Sequence, residues 1–316
     1  MESSWIGVDV AKASFEVFFP ATGEGGQFEN TPKGFKAFAR KMKKHPGFSV
    51  CMEATGVYSQ PLADFLYENG VPVSVENPAR IKAFGKARGL RTKNDPVDAR
   101  LISAYAEAMS PRGYQPLPPE LAELRDLLNR RDQLVEMIQQ ETNRLEGASA
   151  KTARHIKRHI RWLERERDGL LEALEELSNQ DEQLRHSTEL LCSIPSIGKL
   201  TAWRILTELA GREFLSARQF AAYAGLTPRE FQSGSSINRP ARMCKVGNNR
   251  LRASLYMPAM TARKWNPLIR EWANRLEEKG KPKKAIIGAC MRKLLHIAYG
   301  VLKTQKPFNE NHAVLA

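Results

Sequence analysis

The chain has 316 residues, with 49 Lys plus Arg against 35 Asp plus Glu and a formal net charge of +14. That length allows two or three domains with a substantial core, and that charge makes a polyanion the first expected partner. No run of about 18 apolar residues stands out and no charged-then-apolar leader precedes the first strand, so a soluble, unprocessed protein with no membrane partner is expected. The four cysteines, Cys51, Cys192, Cys244 and Cys290, form no CxxC pair, which argues against structural zinc and fits a reducing cytosol.

Residues 4–19, SWIGVDVAKASFEVFF, read as two short strands with a turn around Ala11 to Ala13, and an edge strand follows near GQFENT. PKGFKAFARKMKKH spaces Phe35, Phe38 and Met42 as a helix does. FSVCMEAT is a buried strand, QPLADFLYEN a helix closed by Gly70, and VPVSVEN another strand. In NDPVDARLISAY, Asn94 is a favourable N-cap and proline is tolerated in a first turn, so a helix begins there. The predicted order is β-β-β-α-β-α-β-α, a mixed α/β layer over residues 1–110.

Residues 111–119 hold four prolines and read as a linker. Beyond it, Leu124, Leu128, Val135 and Ile138 mark one stripe of a helix. After GAS, a run at 4-3 spacing follows: Ile156, Ile160, Leu163, Arg167, Leu170, Leu174, Leu177, Asp181 and Leu184. Such a heptad seam predicts a coiled-coil helical hairpin that together with the linker spans residues 111–188, roughly 55 to 60 Å long if about 35 to 40 residues are helical, and also an oligomer contact. Residues 189–316 turn compact and helical again. There, IPSIG joins two helices as a helix-hairpin-helix does, where backbone N–H groups can meet a phosphate. Residues 225–240, GLTPREFQSGSSINRP, are too polar and glycine-rich for core and read as an exposed loop.

Four acids stand where an α/β site collects its groups. Asp9 lies inside the apolar strand WIGVDVA, where a charge is costly unless paired or metal-bound. Glu53 ends SVCME, and Asp95 and Asp98 share one face of a first helical turn. Acids at a helix start also answer the macrodipole. If the strands of Asp9 and Glu53 are neighbours, all four converge. Two carboxylates at 4 Å repel by about 4 kcal/mol at an effective dielectric of 20, so such a group requires cations. Oxygen-only ligation suits Mg²⁺ or Mn²⁺, and a two-ion site can bracket a phosphodiester.

IGVDVAKASFEV, CMEATGVY and KNDPVDARLIS resemble the DEDD motifs of the insertion-sequence-one-ten transposases, whose first domain is RuvC-like with a ribonuclease H fold. SIPSIGKLTAWRILTEL, FAAYAGLTPREFQSGSS and KVGNNRLRASLY resemble that family's C-terminal transposase domain, so the likeness spans nearly the whole chain. It implies that Asp9, Glu53, Asp95 and Asp98 are the metal-binding tetrad and that Ser233, the serine before Gly234, is the nucleophile. Ser235 and Ser236 stand close by, so the choice among the three rests on the motif match. A serine hydroxyl is a poor nucleophile until a base or metal activates it. No histidine is near Ser233 in sequence, so activation has to come from the acidic site, reached either by folding back along the long arm or by borrowing the serine from another subunit of a dimer or tetramer, the second being what the resemblance implies.

Basic runs supply the expected nucleic-acid surface. Arg80, Lys82, Lys86, Arg88, Arg91 and Lys93 fall within fourteen positions beside the tetrad, seven more Lys or Arg lie between 151 and 167, and Lys199, Lys245, Arg250 and Arg252 follow. Such contacts position nucleic acid without reading its sequence. In the resembling family a structured bridge RNA selects donor and target DNA, which accounts for the lack of a recognisable base-reading module. The sequence thus reads as a cytoplasmic, nucleoid-associated DNA transposase or recombinase. The alternatives are a metal-dependent junction nuclease using water and a non-catalytic nucleic-acid-binding protein.

Overall fold

The computed structural model describes residues 4–45, 47–89, 95–233 and 237–310. The chain divides into two compact units, Met1–Pro116 and Leu117–Ala316. In the first, the elements run β1 (Trp5–Val10), β2 (Ser14–Phe19), β3 (Glu24–Glu29), α1 (Pro32–Met42), β4 (Ser49–Glu53), a 3-10 turn (Gly56–Tyr58), α2 (Gln60–Glu68), β5 (Val73–Glu76), α3 (Pro78–Ala87) and α4 (Asp95–Met109). The strands form one sheet in the order β3-β2-β1-β4-β5. β1, β2 and β3 pair antiparallel, while β4 runs parallel to both β1 and β5.

Strand alternation sends successive side chains to opposite faces of this sheet. Ile6, Val8 and Val10 share one face with Phe15, Val17, Phe19, Val50 and Met52, and pack on α1 through Phe35, Phe38 and Met42 and on α2 through Leu62 and Leu66. Trp5 and Cys51 point the other way and meet Ile81 of α3 and Ile102, Tyr105 and Ala106 of α4. Helices on both faces of a mixed sheet agree with the ribonuclease H-like fold that the resemblance implies. One element adds to the sequence reading, which assigned no helix to the basic run after β5. There α3 forms, with the Asn77 side chain accepting from the Ala79 N–H at 2.8 Å and Pro78 in the first turn, the local chemistry that starts a helix.

The proline-rich segment is tied to the first unit. The Ser74 hydroxyl donates to the Arg112 carbonyl at 2.7 Å, the Tyr114 N–H donates to the Val73 carbonyl at 2.6 Å, and the Tyr114 hydroxyl donates to Asp64 at 2.6 Å.

The second unit is mainly helical: α5 (Pro119–Arg144), α6 (Ala150–Gln180), α7 (Glu182–Cys192), α8 (Lys199–Leu209), α9 (Ala217–Tyr223), a two-stranded ribbon of β6 (Pro228–Ser233) and β7 (Ile237–Met243), then α10 (Asn249–Ser254), α11 (Tyr256–Trp265), α12 (Pro267–Glu278) and α13 (Lys283–Thr304). α5 and α6 pack against each other. On α5, Leu134 faces inward beside Leu124 and Leu128, and Val135 is exposed. The stripe read through Val135 is therefore displaced by one residue.

The heptad run is also interrupted. α6 ends at Gln180, Asp181 is extended, and its carboxylate caps α7 by accepting from the Leu184 N–H at 2.8 Å. The seam is thus two helices, and α6 with its 31 residues is roughly 46 Å long at 1.5 Å per residue. An aspartate competes well for backbone N–H groups, which is why it breaks the run where an apolar residue would have carried it.

Of residues 225–240, expected to form an exposed loop, 228–233 and 237–240 belong instead to the β6–β7 ribbon. A ribbon paired only with itself needs no apolar face, so its polar composition hid it. α13 is long and apolar enough by composition to cross a bilayer. Its apolar side is used internally: Ile286, Cys290, Leu294, Leu295 and Ala298 form the centre of the second unit's core.

Candidate functional site

The acids of the first unit gather at one edge of the sheet. The β1–β4 register runs from Trp5 opposite Ser49 to Val8 opposite Met52, so Asp9 and Glu53 are the next residues on adjacent parallel strands. Both point to the face covered by α4, because Trp5, Gly7 and Asp9 alternate with the buried Ile6 and Val8. α4 runs back along β1: the Ser103 hydroxyl donates to the Trp5 carbonyl at 2.7 Å, and the Ala99 backbone lies over Gly7. One helical turn of 5.4 Å nearly matches two strand residues, so the next turn toward the helix start, holding Asp95 and Asp98, comes to the level of Asp9. Asp9, Glu53 and Asp98 are all half-buried. Of Asp95 only the backbone lies within the described residues.

The row of acids is longer than the sequence reading supposed. Asp9 stands opposite Glu16 of β2, and Glu53 opposite Glu76 of β5. Glu76 is buried, and its carboxylate accepts from Arg80 at 2.9 Å and from the Tyr105 hydroxyl at 3.1 Å. Burial and the Glu76 charge together push the Tyr105 hydroxyl up to about 12, and the same two causes push the Cys51 thiol up to about 12. The signal for Glu76 was present in the sequence, since VSVE ends β5 as SVCME ends β4. What could not be read was its partner, Arg80, which had been grouped with the phosphate-contacting cations.

An oxygen-only donor set on one face suits a hard divalent cation such as Mg²⁺ or Mn²⁺. Among the described residues, no three His, Cys, Asp or Glu side chains close into a ready-made metal cage. Asp9, Glu53 and Asp98 match such an ion in donor type and lie toward one edge of the sheet without closing on a common point, and Asp95 is the remaining candidate.

The other predicted sites lie as follows. Lys82, Lys86 and Arg88 are exposed on or just after α3, with the Arg88 guanidinium over the Phe84 ring. Arg91 and Lys93 lie outside the described residues, as do Ser235 and Ser236. Ser233 is described in its backbone alone, as the last residue of β6, opposite Ile237.

The base of the ribbon is held tightly. Cys244 N–H donates to the Thr227 carbonyl at 2.8 Å and Asn248 N–H to the Tyr223 carbonyl at 2.7 Å. The Asn248 amide donates to Glu208 at 2.6 Å and to the Tyr223 hydroxyl at 2.9 Å. Gly247, at φ 141°, passes so close to Tyr223 that a Cβ there would stand 2.3 Å from the Tyr223 carbonyl oxygen, a backbone position open to glycine. Arg252 donates to the Ala224 carbonyl at 3.0 Å and Arg250 to Asn129 at 2.8 Å, while Lys199 pairs with Glu175 at 3.0 Å and Lys245 is exposed. Glu208, Tyr223 and Asn248 escaped the sequence reading, since a polar triad from three separate elements has no spacing signature.

Comparison with known proteins closes this picture. A family model described as Transposase, for the DEDD transposases of the IS110 type, matches residues 6–148, and a second, described as Transposase IS116/IS110/IS902 family, matches residues 188–273. The chain is 34% identical to the pilin gene-inverting protein of Moraxella bovis and 34% identical to that of Moraxella lacunata, in each case across 98% of this chain and 99% of the relative. It is 28% identical to the transposase for insertion sequence element IS1111A of Coxiella burnetii, across 89% of this chain and 82% of that protein.

Proposed function

From the premise that this chain belongs to the IS110 family of DEDD transposases, whose members cleave DNA and transfer strands, we propose that Ser233 is the nucleophile and that Asp9, Glu53, Asp95 and Asp98 form the metal-binding acidic edge that serves it. The observation that carries this reading is the register of α4 on β1, which brings the start of α4 to the level of Asp9 beside Glu53. A divalent cation held there would neutralise charge on the scissile phosphate. The serine oxygen attacks phosphorus and the bond to one deoxyribose oxygen breaks, so a phosphoserine ester forms and a sugar hydroxyl leaves. The serine proton passes to a carboxylate of the edge, and that acid returns it to the departing sugar oxygen, which leaves as the hydroxyl. Attack on that ester by the hydroxyl of an exchanged strand restores both the DNA backbone and the serine.

The serine and the acids belong to different units of the chain, and in this reading a dimer or tetramer, joined through a coiled-coil seam of α5 and α6, completes each site between copies. Exposed cations such as Lys82, Lys86 and Lys245 hold backbone phosphates, which positions nucleic acid without selecting sequence. Selection of donor and target DNA then falls to a bridge-type guide RNA. Full-length likeness to gene-inverting proteins extends the reading from transposition to inversion between two sites on one DNA.

The test is a covalent adduct. Wild-type protein with DNA substrate and Mg²⁺ is expected to give a protein–DNA band on a denaturing gel, with tryptic mapping to Ser233. Ser233→Ala is expected to lose adduct and cleavage while keeping DNA binding, and Ser235→Ala and Ser236→Ala to keep both. Full cleavage by Ser233→Ala, without any wild-type adduct, would select a nuclease that uses water.

A further inference from the structure

The outward face of α6 carries a row of exposed cations, of which Arg158 meets His155 and Arg161 and Arg165 reach carbonyls of their own helix. Lys151, Arg154, Lys157, Arg158, Arg161 and Arg165 are all exposed, and among the described residues no carboxylate lies within ion-pair distance of any of them. On the same helix Trp162 is 46% exposed and lies nearly parallel to the His159 ring, with centroids 6.0 Å apart and planes 16° apart. A surface helix gains little from a tryptophan, whose helix propensity is below that of Ala or Leu. An apolar ring presented among cations that have no carboxylate partner among the described residues fits a partner that brings both phosphates and flat aromatic faces.

We propose that this face of α6 docks a nucleic-acid strand with unpaired nucleotides, one of whose bases stacks on Trp162. From Lys151 to Arg165 the helix advances roughly 21 Å, the length of about six nucleotides at 3.4 Å each. A second copy laid on the same face would meet like charge, which disfavours a protein partner of identical sequence. A paired duplex satisfies the cations but hides its bases, so it leaves Trp162 without a stacking partner. Base–aromatic stacking needs no sequence, which matches a surface that offers no fixed pattern of donors and acceptors. The inference rests on this chain handling nucleic acid and is independent of which serine attacks.

The experiment uses the full chain and fluorescence anisotropy with a labelled single-stranded RNA and DNA of about twelve nucleotides, and with the same sequence as a perfect duplex. Trp162→Ala is expected to weaken single-strand binding about tenfold, to leave duplex binding unchanged, and to keep the wild-type circular dichroism. Trp162→Phe is expected to restore most of the loss. Arg158→Ala with Arg161→Ala and Arg165→Ala is expected to weaken all probes and to lower the salt slope on single strands by about two. A stronger effect on the RNA arm would name RNA as the source, and a stronger effect on the DNA arm a displaced DNA strand. Unchanged single-strand affinity in Trp162→Ala, or an equal loss on the duplex, overturns the proposal. Both results can be read while the Ser233 adduct remains intact, so they are separable from failure of the proposed chemistry.

Discussion

Gly7 of β1 lies so close to Ala99 of α4 that a Cβ in place of its hydrogen would stand 2.0 Å from the Ala99 carbonyl oxygen and 2.6 Å from the Ser103 nitrogen. Two backbones at that distance set how deeply the start of α4 sinks beside Asp9. Gly7→Ala is therefore expected to lift α4 and lower stability by about 1 to 3 kcal/mol, the usual cost of overpacking. Denaturant unfolding measures the loss of stability, and DNA cleavage by the remaining folded protein reports the displacement of α4. Wild-type values for both would show that the helix height is not set here.

The acidic edge makes a separate prediction. Asp9→Asn, Glu53→Gln and Asp98→Asn are each expected to abolish cleavage while leaving the circular dichroism intact. Chelation of divalent ions should do the same to the wild type, with recovery on adding Mg²⁺ or Mn²⁺. In metal-free buffer the melting temperature of Asp9→Asn should equal or exceed that of the wild type, because a carboxylate beside like charge is lost. Activity close to wild type in these folded variants would remove the acids from the mechanism.

Glu76 is buried, and Arg80 and Tyr105 are its two named partners. Removing a partner of a buried charge leaves its desolvation uncompensated. Arg80→Ala is expected to cost about 1 to 3 kcal/mol of stability in urea unfolding, although Arg80 is itself exposed, as are Lys82, Lys86 and Arg88. A change of only a few tenths would place it with its exposed neighbours Lys82 and Lys86.

His296 predicts a pH dependence with a definite sign. Its Nε2 is buried without a hydrogen-bond partner among the described residues. Burial, then the charges of Arg292, Lys293 and Arg218, hold its pKa below the ordinary 6.5. The unfolded chain therefore takes up the proton first, so this contribution to stability is complete above about pH 6.5 and declines as pH falls below it. His296→Leu should flatten that part of the melting-temperature profile between about pH 7.5 and 5. An identical slope in wild type and variant would assign the acid sensitivity elsewhere.

Leu174 is fully buried in a cluster with Leu124, Leu128, Leu184 and Trp203 of the same unit. Leu174→Ala is expected to destabilise the protein by about 2 to 5 kcal/mol. Leu170 is only half-buried, so Leu170→Glu is the variant suited to test assembly, with a fall in mass by light scattering as the outcome if the seam joins copies.

The sequence by itself determined the character of this protein. The excess of cations, the apolar runs that make β1 and β4, the acids within WIGVDV and at the end of SVCME, and the DPVD helix start are all local patterns, set by residues a few positions apart. The family likeness rests on those same motifs. Only the tertiary structure decided the rest. The depth of α4 on Gly7, the pairing of Glu76 with Arg80 and Tyr105, and the anchoring of the ribbon by Glu208, Tyr223 and Asn248 each join groups far apart in the chain. Arg80 and Lys82 are both exposed cations of one basic run, yet the Arg80 guanidinium is held by the buried Glu76 carboxylate, because a charge finds its partner in what the fold buries beside it.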